Sequence, residues 1–205
     1  MSGGAMRTKI AVFASLVFAT CAAQAAARIG EPAPGFTLSG SDGKSQALSD
    51  FKGKYVVLEW TNHECPYVRK HYGSGNMQAQ QKELTSKGAA WLSIVSSAPG
   101  KQGYVDAAAA AGLTKSRGAA PTAVLLDPSG EVGHLYGAKT TPHLFLIAPD
   151  GKLLYMGGID SVASTDVDDI ADATPYVKLA LAEAMAGKPV TNASTKPYGC
   201  SVKYE

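Results

Sequence analysis

The sequence is poor in cysteine, in charged residues and in long apolar runs, and each shortage excludes a class of protein. Three cysteines in 205 residues are too few for a disulfide-stapled mini-domain or for a zinc site built mainly on sulfur. Only 18% of residues are charged, and the part of the chain after residue 25 carries 17 basic and 17 acidic side chains. A neutral domain gives no electrostatic reason to expect nucleic acid or an anionic membrane as a partner. The apolar share of 45% is nevertheless large enough for a folded core.

The first 25 residues have the features of a cleaved secretory signal peptide. A short basic region precedes the apolar stretch 10–19, which is about half of the roughly 20 residues that a membrane-spanning helix needs. Ala23 and Ala25 then stand at the spacing that signal peptidase prefers. We therefore expect residues 1–25 to be removed and residues 26–205 to form a periplasmic or secreted domain that does not span a membrane. Lipidation at Cys21 is the less favoured alternative, because the lipoprotein-processing enzyme prefers a small residue before the cysteine and Thr20 is a poor fit.

Strand and helix patterns alternate along the remaining chain. The sequence predicts a β-hairpin within 28–50, followed by strands at 54–60, 90–96, 122–126, 143–147 and 152–156, and by helices at 66–72, 77–87, 104–111 and 176–186. This alternation indicates one α/β domain with a central mixed sheet flanked by helices and an N-terminal β-hairpin extension. The acidic stretch 160–174 lacks the glycine and the spacing of a calcium loop, so we expect a solvated loop there.

Cys65 is the strongest candidate for chemistry. It follows a predicted strand and stands directly before Pro66, a residue that fits the first position of a helix. Cys65 is therefore expected to be the N-cap, with its sulfur facing unpaired backbone N–H groups and the positive end of the helix dipole. This environment favours the thiolate, which is the nucleophilic form. Arg69 adds positive potential nearby, whereas Glu64 opposes it.

Five segments together carry a family signature. They are GEPAPGFTL at 30–38, LSDFKGK at 48–54, the region 62–72 around Cys65, TTPH at 140–143 and GCSVKY at 199–204. This combination resembles the peroxiredoxin-like (AhpC/TSA-type redoxin) branch of the thioredoxin superfamily, in an exported subgroup. The resemblance implies a thioredoxin-like fold, no bound cofactor and a peroxidatic role for Cys65.

The resemblance also implies a substrate-binding surface around that cysteine. Thr141 and Pro142 resemble the cis-proline turn of thioredoxin-like sites, where the backbone beside the cysteine holds a substrate. We therefore expect a cis bond between them, located next to Cys65. Pro66 and Arg69, at the start of the following helix, complete the expected substrate-binding set.

The sequence departs from the family pattern at two places. Val68 stands at the second cysteine position of a Cys-x-x-Cys motif, which excludes local dithiol exchange. The peroxiredoxin motif P-x-x-x-T-x-x-C has no clean counterpart, since Asn62 lies three residues before Cys65 and Thr61 lies four before it. Either of these two side chains is a candidate to donate to a peroxide. Glu59, in a strand that is otherwise apolar, either shuttles the thiol proton from a buried position or faces solvent at a strand end.

Cys200, in a polar C-terminal tail, is the candidate resolving cysteine, because a free thiol is a liability in an oxidising compartment. The neighbouring Gly199 suggests a tail that can move. We therefore expect no preformed bridge to Cys65. Either the tail swings in, or Cys65 pairs with Cys200 of a second subunit.

These features predict an exported antioxidant enzyme that reduces small peroxides through Cys65 and is reset by a thioredoxin-like or low-molecular-weight thiol. One alternative is a thiol-disulfide oxidoreductase that acts on protein thiols. Another is a non-catalytic redoxin that binds copper or a protein, since His63 and His71 lie near Cys65 in the sequence. No metal is expected in the leading interpretation.

Overall fold

The computed structural model describes Met1 and residues 26–205, so the predicted signal peptide, with Cys21, lies outside the described residues. Within them the strands are β1 (Thr37–Gly40), β2 (Ser45–Ala47), β3 (Val56–Trp60), β4 (Ala90–Val95), β5 (Ala123–Leu126), β6 (Thr140–Thr141), β7 (His143–Ile147), β8 (Leu153–Gly157) and β9 (Cys200–Ser201). The α-helices are α1 (Pro66–Gly73), α2 (Asn76–Ser86), α3 (Ala107–Ser116), α4 (Glu131–Tyr136) and α5 (Tyr176–Met185). Short 3-10 helices lie at Leu48–Phe51 and Asp168–Ile170.

Seven strands form one mixed sheet in the order β2-β1-β5-β4-β3-β7-β8. The central strands β3, β4 and β5 are parallel, while β1 and β7 run antiparallel to their neighbours. The connections that join the parallel strands contain helices, as such crossovers require. A central mixed sheet with flanking helices and an N-terminal hairpin of β1 and β2 confirms the predicted architecture.

The β3 strand divides the apolar core into two layers. All five of its residues are buried, and successive side chains point to opposite faces of the sheet. Trp60 packs on one face against Phe145, with ring centroids 5.0 Å apart. Val57 belongs to the cluster on the other face, which also contains Cys65. Cys65 therefore packs in the same buried cluster as the β3 strand that precedes it.

Three elements differ from the sequence-based expectation. The predicted helix at 104–111 lies instead at Ala107–Ser116. It begins later because the Asp106 side chain caps it through the Ala109 N–H at 2.8 Å. Gly112 lies inside this helix, and the prediction that it ends the helix is wrong. The six-residue helix α4 and the small two-stranded sheet of β6 and β9 were not predicted.

Candidate active site

Cys65 occupies the turn between β3 and α1 and is the N-cap of that helix, as predicted. Its backbone N–H donates to the Asn62 carbonyl oxygen at 3.1 Å, and Pro66 takes the first helical position. The N–H of Val68 lies in the first turn, where it has no partner within the helix, and it lowers the pKa of the Cys65 thiol. The Cys65 side chain is fully buried.

The turn predicted to hold a substrate, Thr141–Pro142, lies directly before β7 and contacts the Cys65 sulfur. The Thr141–Pro142 peptide bond is cis, which confirms the prediction. Cys65 Sγ donates to the Thr141 carbonyl oxygen at 3.1 Å. His143, the next residue, is buried and accepts the Lys139 N–H on Nδ1 at 3.2 Å, so it holds the loop.

The C-terminal tail completes the contacts of the sulfur. In β9, Cys200 pairs antiparallel with Thr141 of β6, and its backbone N–H donates to Cys65 Sγ at 3.4 Å. Both cysteines are free thiols. The tail therefore lies beside Cys65 without a bridge. Of the two expected alternatives, a tail that swings in from elsewhere is not needed, because Cys200 of the same chain is already in contact with Cys65. Gly199 explains the close approach, because a Cβ there would collide with the Thr141 carbonyl group.

The two thiols differ in acidity. Burial on its own would raise the pKa of the Cys65 thiol, but hydrogen bonds from the Cys200 thiol and from the Val68 and Cys200 N–H groups outweigh it and lower that pKa. Burial, together with the interaction with Cys65, raises the pKa of Cys200 to about 11. Of the two thiols, Cys65 is therefore the more acidic and loses its proton before Cys200. This is the arrangement that a Cys65 nucleophile requires.

Glu59 is buried within the fold rather than exposed at a strand end. Its carboxylate accepts hydrogen bonds from Ser93 Oγ at 2.7 Å, Trp91 Nε1 at 2.8 Å and the Tyr72 hydroxyl at 3.0 Å. Burial raises the pKa of Glu59, although these hydrogen bonds partly offset that rise. Among the described residues no hydrogen bond joins Glu59 to Cys65, and its proton-shuttle role stays a prediction.

The geometry of a capped cysteine beside a cis-proline turn agrees with the result of sequence comparison. A profile described as "AhpC/TSA family" matches residues 29–156, more than half of the chain. The chain belongs to the AhpC/TSA family.

A curated relative of this redoxin is the thiol-disulfide oxidoreductase ResA of Bacillus subtilis (strain 168). The two are 33% identical over 125 residues, which is 61% of this chain and 64% of ResA. The match therefore spans less than two thirds of that relative's length.

Solved structures confirm that this redoxin has a thioredoxin-like fold. An uncharacterized conserved protein from Geobacillus kaustophilus superimposes with a TM-score of 0.74 at 23% identity, covering 87% of this chain and 93% of that one. The thioredoxin domain of a thiol-disulfide oxidoreductase from Bacteroides vulgatus gives a TM-score of 0.51 at 20% identity, covering 71% of this chain and 96% of that one.

The three side chains expected to assist peroxide chemistry are directed elsewhere. Asn62 Oδ1 accepts the Glu64 N–H at 2.9 Å and so holds the loop. The Thr61 hydroxyl is buried, makes no hydrogen bond within the described part of the chain, and lines a cavity of about 40 Å³ that Cys65 does not line. Arg69 Nε donates to a loop carbonyl oxygen at 3.2 Å on the exposed side of α1. The hydrogen bonds of the sulfur are instead with the cis-proline loop and the tail.

The two histidines near Cys65 in the sequence are separated in space. His63 lines the small cavity described above, whereas His71 is buried with Nδ1 2.8 Å from Asn76 Nδ2. Between residues 26 and 205 no group of three or more His, Cys, Asp or Glu side chains is placed to hold a metal ion.

Sequence reasoning missed a polar cluster that holds the tail. The Tyr198 hydroxyl donates to Asp160 Oδ1 at 2.5 Å and lies 3.2 Å from His71 Nε2. Asp160 is only 4% exposed, so the expectation that the whole acidic stretch is solvated fails at its first residue. The one available signal was that Tyr198 lies two residues before Cys200.

Proposed function

We propose that this redoxin is a thiol-disulfide oxidoreductase in which Cys65 is the nucleophile and Cys200 is the resolving thiol. The observation that carries the proposal is the contact between the two cysteines, with the Cys200 N–H 3.4 Å from Cys65 Sγ. Cys200 replaces the second cysteine of a Cys-x-x-Cys site, where this chain has Val68. The likeness to ResA, which is named a thiol-disulfide oxidoreductase, supports the same reaction class.

The proposed cycle begins with the Cys65 thiolate. It attacks one sulfur of a substrate disulfide, the substrate S–S bond breaks, and the second substrate sulfur leaves as a thiolate that takes up a proton. Cys200 then loses its proton and attacks the Cys65 sulfur of the mixed disulfide. The Cys65–Cys200 disulfide forms and the first substrate sulfur leaves as a thiol. The substrate disulfide gains two electrons, the protein dithiol loses two, and a thioredoxin-like or low-molecular-weight thiol resets the protein.

Peroxide reduction is the second candidate, and membership of the AhpC/TSA family favours it. In that reaction the Cys65 thiolate attacks the O–O bond, becomes a sulfenic acid and releases water or an alcohol. Cys200 then condenses with the sulfenic acid and releases water. We rank this reaction second, because among the described residues neither Thr61, Asn62 nor Arg69 makes a hydrogen bond to the sulfur.

A direct comparison of substrates tests the ranking. The reduced full-length protein is mixed separately with insulin, oxidised glutathione and hydrogen peroxide, and the loss of each is followed over time. We expect disulfide reduction to be faster than peroxide loss, to disappear in Cys65→Ser and to stop at a Cys65 mixed disulfide in Cys200→Ser. Cys21→Ser is the matched control and should react like the wild type. Cys65-dependent loss of peroxide with no reaction of either disulfide would select the peroxidase.

We also infer that the protein acts in the periplasm or outside the cell. The leader pattern at 1–25 supports export, and residues 26–205 are proposed to form one redoxin domain with a cysteine-bearing tail. Among the described residues no helix is long and apolar enough to cross a membrane. Cell fractionation followed by N-terminal sequencing should find a chain that begins at Ala26. A protein that stays in the cytoplasm with its leader intact would contradict export.

A further inference from the structure

The tail after α5 crosses the face of the domain that carries Cys65. The Thr195 N–H donates to the Met156 carbonyl oxygen at 3.1 Å, which attaches the tail to the β8 edge. Further on, β9 pairs with β6, and the Val202 N–H donates to the Lys139 carbonyl oxygen at 3.1 Å. The Val202 side chain is buried in the core. The tail thus fills the backbone positions beside Cys65 in which the substrate of the proposed reaction would lie.

A chain of buried polar groups holds this tail in place. Asn76 Nδ2 lies 2.8 Å from His71 Nδ1, and an amide donor there leaves the ring proton on Nε2, which faces the Tyr198 oxygen at 3.2 Å. The Tyr198 hydroxyl then donates to Asp160 Oδ1 at 2.5 Å. The Tyr198 ring packs edge-on against Tyr67, with centroids 5.7 Å apart. This one tail side chain therefore joins α1 to the loop after β8.

The tail contributes to the full burial of Cys65. The Cys200 backbone lies directly against the sulfur, and the Cys65 side chain has no exposed surface. A substrate sulfur must approach Cys65 Sγ to within bonding distance, and it cannot do so while Cys200 and its neighbours occupy that space.

We propose that residues 195–204 occupy the surface beside Cys65 and β6 where a substrate binds, which we call the substrate groove. Tyr198 is the positioning residue that holds them there through His71 and Asp160, and we call these three side chains the latch. Cys65 reacts with an external disulfide only while the latch is open. When the latch recloses, it returns Cys200 to the Cys65 sulfur, where the mixed disulfide is resolved. That the tail covers Cys65 does not depend on the proposed function. That the displacing substrate is a disulfide rests on the proposed function.

The chemistry of the occupant indicates which partner displaces it. The tail enters as an extended strand that carries a cysteine and pairs through its backbone with Thr140 and Thr141. An extended polypeptide segment that contains a disulfide can make the same backbone hydrogen bonds. A small disulfide cannot replace this pairing and must wait for spontaneous opening. We therefore expect protein disulfides to react faster than oxidised glutathione.

The alkylation rate of Cys65 tests the cover without reference to redox activity. Cys200→Ser serves as the parent, so that the tail carries no second reactive thiol, and Tyr198→Phe is introduced into it. Iodoacetamide is the probe, and mass spectrometry of the Cys65 peptide gives its rate separately from that of Cys21. Rates are compared on the high-pH plateau, where the thiol is fully ionised, so that a change in pKa does not affect them. Tyr55→Phe is the matched control, because it removes a tyrosine hydrogen bond to the Ala184 carbonyl oxygen, away from the tail.

We expect Tyr198→Phe to accelerate alkylation of Cys65 about tenfold or more, since a hydrogen bond to an acidic side chain is lost from the closed state. Tyr55→Phe should remain within about twofold of the parent, because a hydrogen bond away from the tail leaves the closed state unchanged. Equal rates in all three proteins would overturn the proposal. Urea unfolding midpoints show whether Tyr198→Phe acts through the tail or through the whole fold, and a global loss of stability large enough to explain the acceleration would also overturn it.

A second measurement separates this proposal from the proposed function. In the wild-type cysteine background, Tyr198→Phe should raise the rate with oxidised glutathione and shift the Cys65–Cys200 disulfide toward the reduced state in glutathione buffers. Faster alkylation without any disulfide reduction would leave the cover standing and refute the thiol-disulfide function. Efficient disulfide reduction with unchanged alkylation would refute the cover and leave the function standing.

Discussion

At the level of single residues, the reactivity of Cys65 depends on groups that lie far away in the sequence. The Cys200 N–H donates to the sulfur at 3.4 Å. The Cys200 thiol and N–H and the Val68 N–H at the helix start all lower the pKa of Cys65. The Cys65 thiol in turn donates a hydrogen bond to the Thr141 carbonyl oxygen. The acidity of Cys65 is therefore a property of the folded tail as well as of the helix N-terminus.

This dependence predicts the pKa of Cys65 and its response to one substitution. The alkylation rate at the Cys65 peptide, measured against pH, should give a midpoint below the free thiol value of about 8.5. Cys200→Ala removes a hydrogen bond that lowers the pKa, so its midpoint should be higher than that of the wild type. Cys21→Ser serves as the control with an unchanged midpoint. A wild-type midpoint at or above the free value would contradict the account.

Glu59 gives a second prediction at this scale, because burial raises its pKa. A carboxyl group with a higher pKa in the folded state stabilises the fold fully below its unfolded pKa, near 4.5. That contribution is lost as the pH rises through the folded pKa. The free energy of unfolding of the wild type minus that of Glu59→Gln should therefore decrease as the pH rises above 4.5.

Urea unfolding at a series of pH values measures this difference. Glu31→Gln, which replaces an exposed carboxyl group, is the matched control for the substitution itself. A Glu59→Gln difference that stays flat or increases with pH would show that the folded state does not favour the protonated carboxyl group.

At the level of secondary structure, the elements with local signals could be predicted from the sequence. The apolar run of β3 and the Cys65-Pro66 start of α1 each define their element within a few residues. The elements that depend on distant partners could not be predicted. The two residues of β9 form a strand only because Thr140 and Thr141 lie opposite them. The α4 helix depends on the Asp127 carboxylate, which accepts the N–H groups at its start.

In the candidate site, too, the features set by local sequence could be predicted and those set by distant partners could not. The Cys65 cap and the cis bond at Pro142 follow from short motifs, and both predictions are confirmed. The latch of Tyr198, His71 and Asp160 joins three segments through side-chain geometry. From composition alone, Asp160 is expected to be solvated with the rest of the acidic stretch 160–174. Nothing within that stretch indicates that Tyr198, from the tail, covers its carboxyl group.

Asp127 provides the prediction for α4. Its buried carboxylate accepts the Val132 and Gly133 N–H groups at the start of α4, at 3.3 and 2.9 Å, and the Ser96 hydroxyl at 2.6 Å. Asp127→Ala leaves these donors unpaired in the core, so it should lower the free energy of unfolding by about 2–4 kcal/mol.

Urea unfolding at neutral pH measures the loss. The control is Asp150→Ala, which removes an exposed turn contact to the Lys152 N–H and should cost less than about 1 kcal/mol. Equal losses in the two variants would mean that Asp127 does not organise the helix.

At the scale of the whole molecule, the fold brings together two cysteines that lie 135 residues apart in the sequence. The strand that precedes Cys65 anchors it in the core, and the tail that carries Cys200 is fixed along the β8 edge, at Tyr198 and at Val202. Residues 26–205 have equal numbers of basic and acidic side chains, so net charge does not steer a partner toward them. Selection is expected instead at the groove, through backbone pairing and access to Cys65.

Non-reducing peptide mapping tests the central claim, that Cys65 and Cys200 of one chain form the working redox pair. The reduced full-length protein is exposed briefly to a stoichiometric disulfide, quenched in acid, alkylated, separated by size under non-reducing conditions and digested. The account predicts a monomer that contains a linked Cys65–Cys200 peptide, with Cys21 alkylated and free. It is contradicted if Cys65 remains in a mixed disulfide while Cys200 stays free, or if the linked peptide occurs only in a covalent dimer.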